Sequence, residues 1–351
     1  MKVEGVKFGM YLSTPTPATS TYIIDAQRAE QMGFDSLWAA DHMLTVPADG
    51  KVPEVWTMFT AIATTTTHIK MGSCVSDAFR RHPTVFAQKL ATLDCLSNGR
   101  INLGMGAGEM MNLEQSGIRW EKPVSRLIEA VEIMRKLWSG EVFSYEGQFW
   151  QLKNAFLQIR PLQESIPIYF GANGPRMRKL TGKLADGWIP SPMSPELYKK
   201  YLGDVKEGAR KAGRSIDELD RVLYVYTSIG KDHESALKQL VPYKSSIVLW
   251  PKILEDGEYV PRSLAIAEPD LYSKILVNEE GEKKFEEYGE LVPTEAIDDF
   301  SIVGTVDDSI EQIEEYVKAG VTHFAFVTVG PDPMRTLLRY SREIIPYFRG
   351  Y

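Results

Sequence analysis

A (β/α)8 TIM barrel is the fold class that this sequence predicts, and three observations carry it. Short apolar runs alternate with segments of helical periodicity along most of the chain, a pattern that demands parallel strand pairing and right-handed crossovers. Eight such runs can be counted, near residues 10, 38, 72, 103, 168, 188, 225 and 326. The chain, 351 residues long, has the size of eight strand–helix units, and no composition shift or Ser/Gly-rich linker divides it. A doubly wound open sheet would give the same local pattern, but the count of eight favours the barrel. The chain is read as one domain, 1–351, with an insertion at about 242–301.

Each element follows from its residues. Lys7 to Leu12 is an apolar strand, and Ser20 to Met32 carries Tyr22, Ile23, Ala26 and Ala29 at helical spacing before Gly33 ends the helix. Ser36 to Ala40 is the second strand, closed by Asp41-His42; Trp56 to Thr66 is helical and Ile69 to Val75 is a strand. Pro83 to Leu96 begins with a proline in its first turn and stops at Asn98-Gly99, as helices do. Ile101 to Met105 is a buried strand that breaks into Gly106-Ala107-Gly108, where a chain without bulky side chains turns tightly and bares its backbone N–H groups. Val124 to Trp138, Pro175 to Ala185, Pro195 to Ala212 and Asp307 to Ala319 read as helices; Ile166 to Phe170, Gly187 to Ile189, Arg221 to Ile229 and His323 to Val329 read as strands.

Two intervals break the repeat. Val142 to Leu152 reads as a hairpin turning at Glu146-Gly147. Pro242 to Ser301 holds Pro251, Pro261, Pro269 and Pro293 and a charged patch from Glu279 to Glu290, and is expected to be mostly helical pieces near the barrel mouth.

Composition narrows the function classes. Hydrophobic residues make up 44% and charged ones 25%, the balance of an ordinary soluble globular protein with a sizeable core. The net charge of -7 and the lack of a basic run argue against nucleic acid. No apolar run reaches the ~18 residues of a membrane span, and MKVEGVKFGM has no signal-peptide core, so a cytoplasmic location is expected. Cys74 and Cys95 fall on predicted core elements without metal-ligand spacing, and no two of the five histidines are spaced as ligands, so no metal is expected.

In a parallel barrel, chemistry collects where the strands end. Those ends offer Tyr11 and Ser13; Asp41 and His42; Cys74, Val75, Ser76 and Asp77; Glu109 and Asn112; Gly171, Ala172, Asn173 and Gly174; Ser191; and Thr328 to Pro331. His42 is a candidate proton shuttle or a structural hydrogen-bonder, and Asp41 orients that ring or caps a helix. Asn173-Gly174 ahead of Pro175 sets a helix N-terminus at the pocket, suited to an anionic ligand or to ordinary capping. Arg80, Arg81 and His82 either add positive charge to an anion site or face water.

With these residues in place, the chain resembles the bacterial luciferase-like superfamily, specifically its coenzyme F420-dependent branch. That branch includes methylenetetrahydromethanopterin reductases, F420-dependent glucose-6-phosphate and secondary-alcohol dehydrogenases, and phthiodiolone ketoreductase-like proteins. The matching stretches are WAADH (Trp38 to His42), GSCVSDAFRRHP (Gly72 to Pro83), ATLDCLSNGRINLGMGAG (Ala91 to Gly108), WEKPV (Trp120 to Val124), IYFGANGPRM (Ile168 to Met177) and GTVDDSIEQIEEYVKAG (Gly304 to Gly320).

The resemblance implies a barrel that holds the deazaflavin at the C-terminal ends of its strands, with a non-prolyl cis peptide at Cys74-Val75 behind the ring. It implies that His42 and Glu109 are the polar pair near the reactive carbon, with Asp41 the acid before the histidine. Expected cofactor contacts are Asp41, Cys74, Val75, Ala107, Gly108, Glu109, Asn112, Gly171, Ala172, Asn173 and Gly174. The implied activity is hydride transfer between F420 and a carbonyl, alcohol or methylene-type carbon of a small-molecule substrate, in a homodimer. Alternatives are an FMN-dependent monooxygenase, a methylenetetrahydromethanopterin reductase and a non-catalytic flavin-binding barrel. Met10 stands where the reductases carry a glutamate, and MLTVP after His42 lacks the aromatic residue of the sugar-phosphate enzymes.

Overall fold

Eight parallel strands close into a barrel in this computed structural model, which describes residues 5–13, 18–46, 51–247, 249–260 and 277–350. In chain order the strands are β1 (Lys7–Leu12), β2 (Ser36–Ala39), β3 (Lys70–Ser73), β4 (Ile101–Met105), β5 (Phe143–Glu146), β6 (Gln151–Ala155), β7 (Ile168–Phe170), β8 (Gly187–Trp188), β9 (Asp220–Ile229), β10 (Ser301–Gly304) and β11 (His323–Thr328). The ring runs β1, β2, β3, β4, β7, β8, β9, β11 and back to β1, and each pairing is parallel. All eight barrel strands coincide with the eight apolar runs of the sequence. The expected hairpin is present as the antiparallel pair β5–β6, outside the ring.

Helices return the chain between strands. The first seven are α1 (Thr19–Gln31), α2 (Val55–Thr65), α3 (Pro83–Ser97), α4 (Met110–Leu113), α5 (Pro123–Ser139), α6 (Pro175–Leu184) and α7 (Pro195–Lys211). Proline stands in the first turn of α3, α5, α6 and α7, where its missing N–H costs nothing. Asn98 takes the left-handed conformation that ends α3, with φ of 59°. None of the described helices is long and apolar enough to cross a membrane.

Three expectations need correction. The interval 242–301 does contain helices, at Lys244–Ile247, Pro251–Asp256, Glu279–Glu290 and Thr294–Asp299, but residues 261–276 lie outside the described residues. It ends in a strand that the sequence reading missed: β10 pairs in parallel with the second half of β9, Ser301 opposite Tyr226 and Gly304 opposite Ile229. The apolar run of β10 stands at the very end of an interval read as helical pieces, which hid it. The helix His233–Leu240, begun by an Asp232 capping box, was also unread. Cys95, placed in the core by the sequence, lies on the exposed face of α3, where its thiol donates to the Arg160 carbonyl.

Large rings fill the barrel interior because small residues face them. A Cβ on Gly72 would stand 2.5 Å from the Trp38 ring, and one on Gly187 would stand 2.1 Å from that of Tyr169. The two rings meet edge to face with centroids 5.2 Å apart. Below them a polar chain is closed on itself. Trp38 Nε1 donates to Ser36 Oγ, which lies 2.7 Å from His323 Nε2, while His323 Nδ1 lies 2.9 Å from Asp220 Oδ2. Burial would push the Asp220 carboxyl up, but His323 and Lys7 outweigh it and hold that carboxyl well below the usual range. Satisfied in this way, buried polar groups pin the register of β2, β9 and β11 without an open donor.

Candidate active site

Above this plug, the ends of β2, β3 and β4 converge. Cys74 N donates to the Ala39 carbonyl of β2, and two residues later Ser76 N donates to the Gly104 carbonyl of β4. Between them the Cys74–Val75 peptide bond is cis. Val75 packs on bare backbone: a Cβ on Gly106 would lie 2.5 Å from Val75 Cγ2, and one on Gly171 would lie 3.1 Å from the same side chain. The strand ends thus form a candidate cradle built around Val75, whose side chain fills the space over Gly106 and Gly171. Gly108 bends the chain out of it with φ of 75°.

Glu109 and His42 meet at the rim of that cradle. His42 Nε2 stands 3.9 Å from Glu109 Oε1, and the side chains are 19% and 16% exposed. Burial pushes the Glu109 carboxyl up to about 8, Asp77 and Asp41 adding to it against Asn112 and Arg80. Burial and then Arg80 bring the His42 imidazole down to about 4. At neutral pH the pair is therefore an acid that keeps its proton beside an uncharged ring.

The other expected residues surround this pair. Asn112 is buried and bonded through both side-chain atoms: its Oδ1 accepts from Met43 N at 2.6 Å and Leu44 N at 2.8 Å, and its Nδ2 donates to Glu109 Oε1 at 2.7 Å. It thereby sutures the segment after His42 to Glu109. Asp41 turns away from solvent. Its Oδ2 accepts from Ser76 Oγ at 2.6 Å and from Trp56 Nε1 at 3.3 Å, and Arg81 grips both oxygens at 2.6 and 3.1 Å. Burial would raise its carboxyl, but Arg80 and Arg81 hold it below the usual range. The Ala107 carbonyl accepts from Trp120 Nε1 at 2.8 Å.

The loop after β7 faces the cradle from the far side. Gly171 N donates to the Met105 carbonyl, and the buried Ala172 gives its carbonyl to Trp188 Nε1 at 2.9 Å. Asn173 is held on both side-chain atoms by Ser191, at 2.7 and 3.0 Å. Gly174 caps α6, and a Cβ there would meet nothing within 4 Å, so the helix start is open.

Arg80 and Arg81 are a correction. They neither face water nor open onto an anion site: their side chains are 8% and 15% exposed and are spent on Asp41, Asp77 and Glu54. Sequence reasoning missed Tyr224 and Tyr226, which pack beside Tyr11 from the middle of β9. Tyr224 meets the Tyr11 ring edge-on at 5.0 Å and lies 6.5 Å from Trp250. The alternation Tyr224, Tyr226 along β9 was the available signal, since every second residue of a barrel strand points inward. Among the described residues no group of three His, Cys, Asp or Glu could hold a metal ion.

Comparison with known proteins gives a consistent picture. The family model described as luciferase-like monooxygenase matches residues 7–323. The 5,10-methylenetetrahydromethanopterin reductase of Archaeoglobus fulgidus is 35% identical over 91% of this chain and 92% of its own. The F420-dependent glucose-6-phosphate dehydrogenase of Microbacterium testaceum is 34% identical over 92% of this chain and 91% of its own. Among solved structures, an F420-dependent secondary alcohol dehydrogenase in complex with an F420-acetone adduct superposes with a TM-score of 0.83 at 25% identity, covering 98% of this chain and 99% of that one.

Proposed function

This chain belongs to the luciferase-like monooxygenase family, and from that membership we propose that it is a coenzyme F420-dependent oxidoreductase. It moves a hydride between the deazaflavin and a carbonyl, alcohol or methylene-type carbon of a small organic substrate. Two relatives whose F420 dependence is explicit align along nearly the whole chain and support this cofactor. The observation that carries the reading is the Glu109–His42 pair, 3.9 Å apart beside the strand ends that surround Val75.

The residues fit the group. A flat tricycle needs one firm prop, and Val75, packed on the bare backbone of Gly106 and Gly171, supplies it. Its anionic end needs N–H donors, and Gly171, Ala172, Asn173 and Gly174 lead into the first turn of α6. When bound, the deazaflavin supplies a ring carbon that carries hydride and reacts poorly with oxygen.

The protein then binds, orients and manages a proton. Glu109, protonated at neutral pH, gives its proton to the oxygen of a carbonyl as that carbon becomes an alcohol, and takes it back in the reverse direction. His42, uncharged above about pH 4, donates or accepts a hydrogen bond at the same oxygen. Asp41 acts through Ser76, Trp56 and the arginines as a positioning residue, and Asn112 fixes the Glu109 carboxyl. The proposal includes a homodimer working in the cytoplasm, with no nucleic acid or metal.

Cofactor choice tests it. Titrating the purified protein with F420 and with FMN, and following absorbance and intrinsic fluorescence, is expected to give saturable binding of F420 and at least tenfold weaker binding of FMN. Tighter binding of FMN would overturn the assignment in favour of a flavin monooxygenase.

A further inference from the structure

We infer that the buried Arg80–Asp77 pair, on the loop that follows β3, positions and poises His42 and Glu109 for proton transfer. The inference rests on the proton roles proposed above for those two residues.

The pair stands between the two strand ends that carry them. Arg80 Nη2 lies 3.2 Å from Asp41 Oδ1 and also donates to the Asp41 backbone carbonyl, so its charge sits against the residue directly before His42. Arg80 Nε is bonded to Asp77 Oδ2, and the two side chains are only 8% and 6% exposed. Asp77 is held in turn by Phe79 N at 2.7 Å and Arg80 N at 2.9 Å. Its Cβ lies 3.2 Å from where a Cβ on Gly108 would be, directly before Glu109. One cation is thus set beside the histidine's strand and one anion beside the glutamate's turn.

Charged groups among the described residues surround the pair from several elements. Asp41 comes from the end of β2; Asp77, Arg80 and Arg81 come from the loop after β3; Asn112, uncharged, comes from α4. Behind them, Glu54 at the start of α2 pairs with Arg81 at 2.8 Å and with Lys89 of α3 at 3.5 Å. Arg80 is shared between Asp41 and Asp77 much as Arg81 is shared between Asp41 and Glu54, and Asp41 acts on both groups with the same sign as Asp77, more strongly than Asp77 on His42 and less strongly on Glu109. Buried charges are poorly screened, and an opposite charge within ~4–6 Å favours the ionised form while a like charge disfavours it. Arg80 disfavours the imidazolium and favours the glutamate anion; Asp77 does the reverse for both. Their opposed pulls leave burial in control, which keeps Glu109 protonated and His42 uncharged at once.

The test uses variants whose expected effects have opposite signs. In the full-length protein, the Glu109 carboxyl is followed by isotope-edited infrared spectroscopy and the His42 ring by NMR, alongside the pH profile of kcat/KM with F420. Arg80→Gln is expected to raise both midpoints by about one pH unit, and Asp77→Asn to lower both by about as much. Arg80→Lys, which keeps the charge, is expected to leave them in place, and with Asp77→Asn it decides the matter if Arg80→Gln does not fold. Shifts in the same direction, or none, in folded Arg80→Gln and Asp77→Asn overturn the inference alone. If the basic limb of the profile persists in Glu109→Gln, the proposed proton role itself falls and takes the inference with it.

Discussion

Replacing Glu109 with Gln is expected to lower turnover by ~10²–10⁴ under saturating reduced F420, the range that a positioned proton donor contributes. Gln keeps the size of the side chain and can still meet Asn112, so the loss isolates the proton from the packing. The pH dependence gives the sign. With its carboxyl pushed up to about 8, Glu109 is protonated below that pH and ionised above it. Carbonyl reduction, which consumes the acid form, is expected to be flat through neutrality and to fall about tenfold per pH unit above 8. Alcohol oxidation, which needs the base, is expected to rise through the same region. Stopped-flow rates in each direction, from pH 5 to 10, check both limbs. Unchanged turnover in Glu109→Gln would remove this residue from the proton path.

Asp41→Ala is expected to be the most damaging substitution to the fold at the site. The carboxylate is 2% exposed as a residue and is bound by Ser76, Trp56, Arg80 and Arg81. Removing it takes one carboxylate from each of two largely buried guanidiniums, leaving Arg80 with Asp77 and Arg81 with Glu54, so the loss is expected to stay below about 3–5 kcal/mol, the cost of a fully stranded buried charge. Urea unfolding at pH 7 measures it. Because the folded carboxyl is held below its usual range, its contribution is complete above the unfolded value near 4 and is lost as the pH falls below that. The gap between the parent protein and Asp41→Ala is therefore expected to narrow below about pH 4. Asp41→Asn, which keeps one acceptor oxygen, is expected to lose less stability.

How far the sequence foretold the molecule depended on the kind of signal. The barrel strands were legible because burial on both faces leaves continuous apolar runs such as FGMYL and INLGM, and Pro83, Pro123, Pro175 and Pro195 mark helix starts. Strand β10 was not, since SIVG stands at the very end of an interval read as helical pieces. At the site, Gly106 and Gly108 announced a bare turn, and His42 and Glu109 stood at strand ends. What stayed hidden was direction. Arg80 and Arg81 look like solvent-facing or anion-binding charges in a linear string, and only the fold brings the carboxylates of Asp41 and Asp77 into their reach. Asn112 reads as a ligand contact until the backbone N–H groups of Met43 and Leu44 are seen to occupy its oxygen. Tyr224 and Tyr226 were passed over because they sit in mid-strand, below the end where chemistry was sought.

The central claim is that one cradle, built around Val75 where it packs on Gly106 and Gly171, seats the cofactor beside His42 and Glu109. Hydrogen–deuterium exchange with and without saturating F420 tests it most directly. The expected result is slowed exchange confined to residues 41–44, 74–80, 106–113 and 171–174. Protection on the outer face of α6 and α7, at the opposite end of the barrel, or nowhere would contradict it.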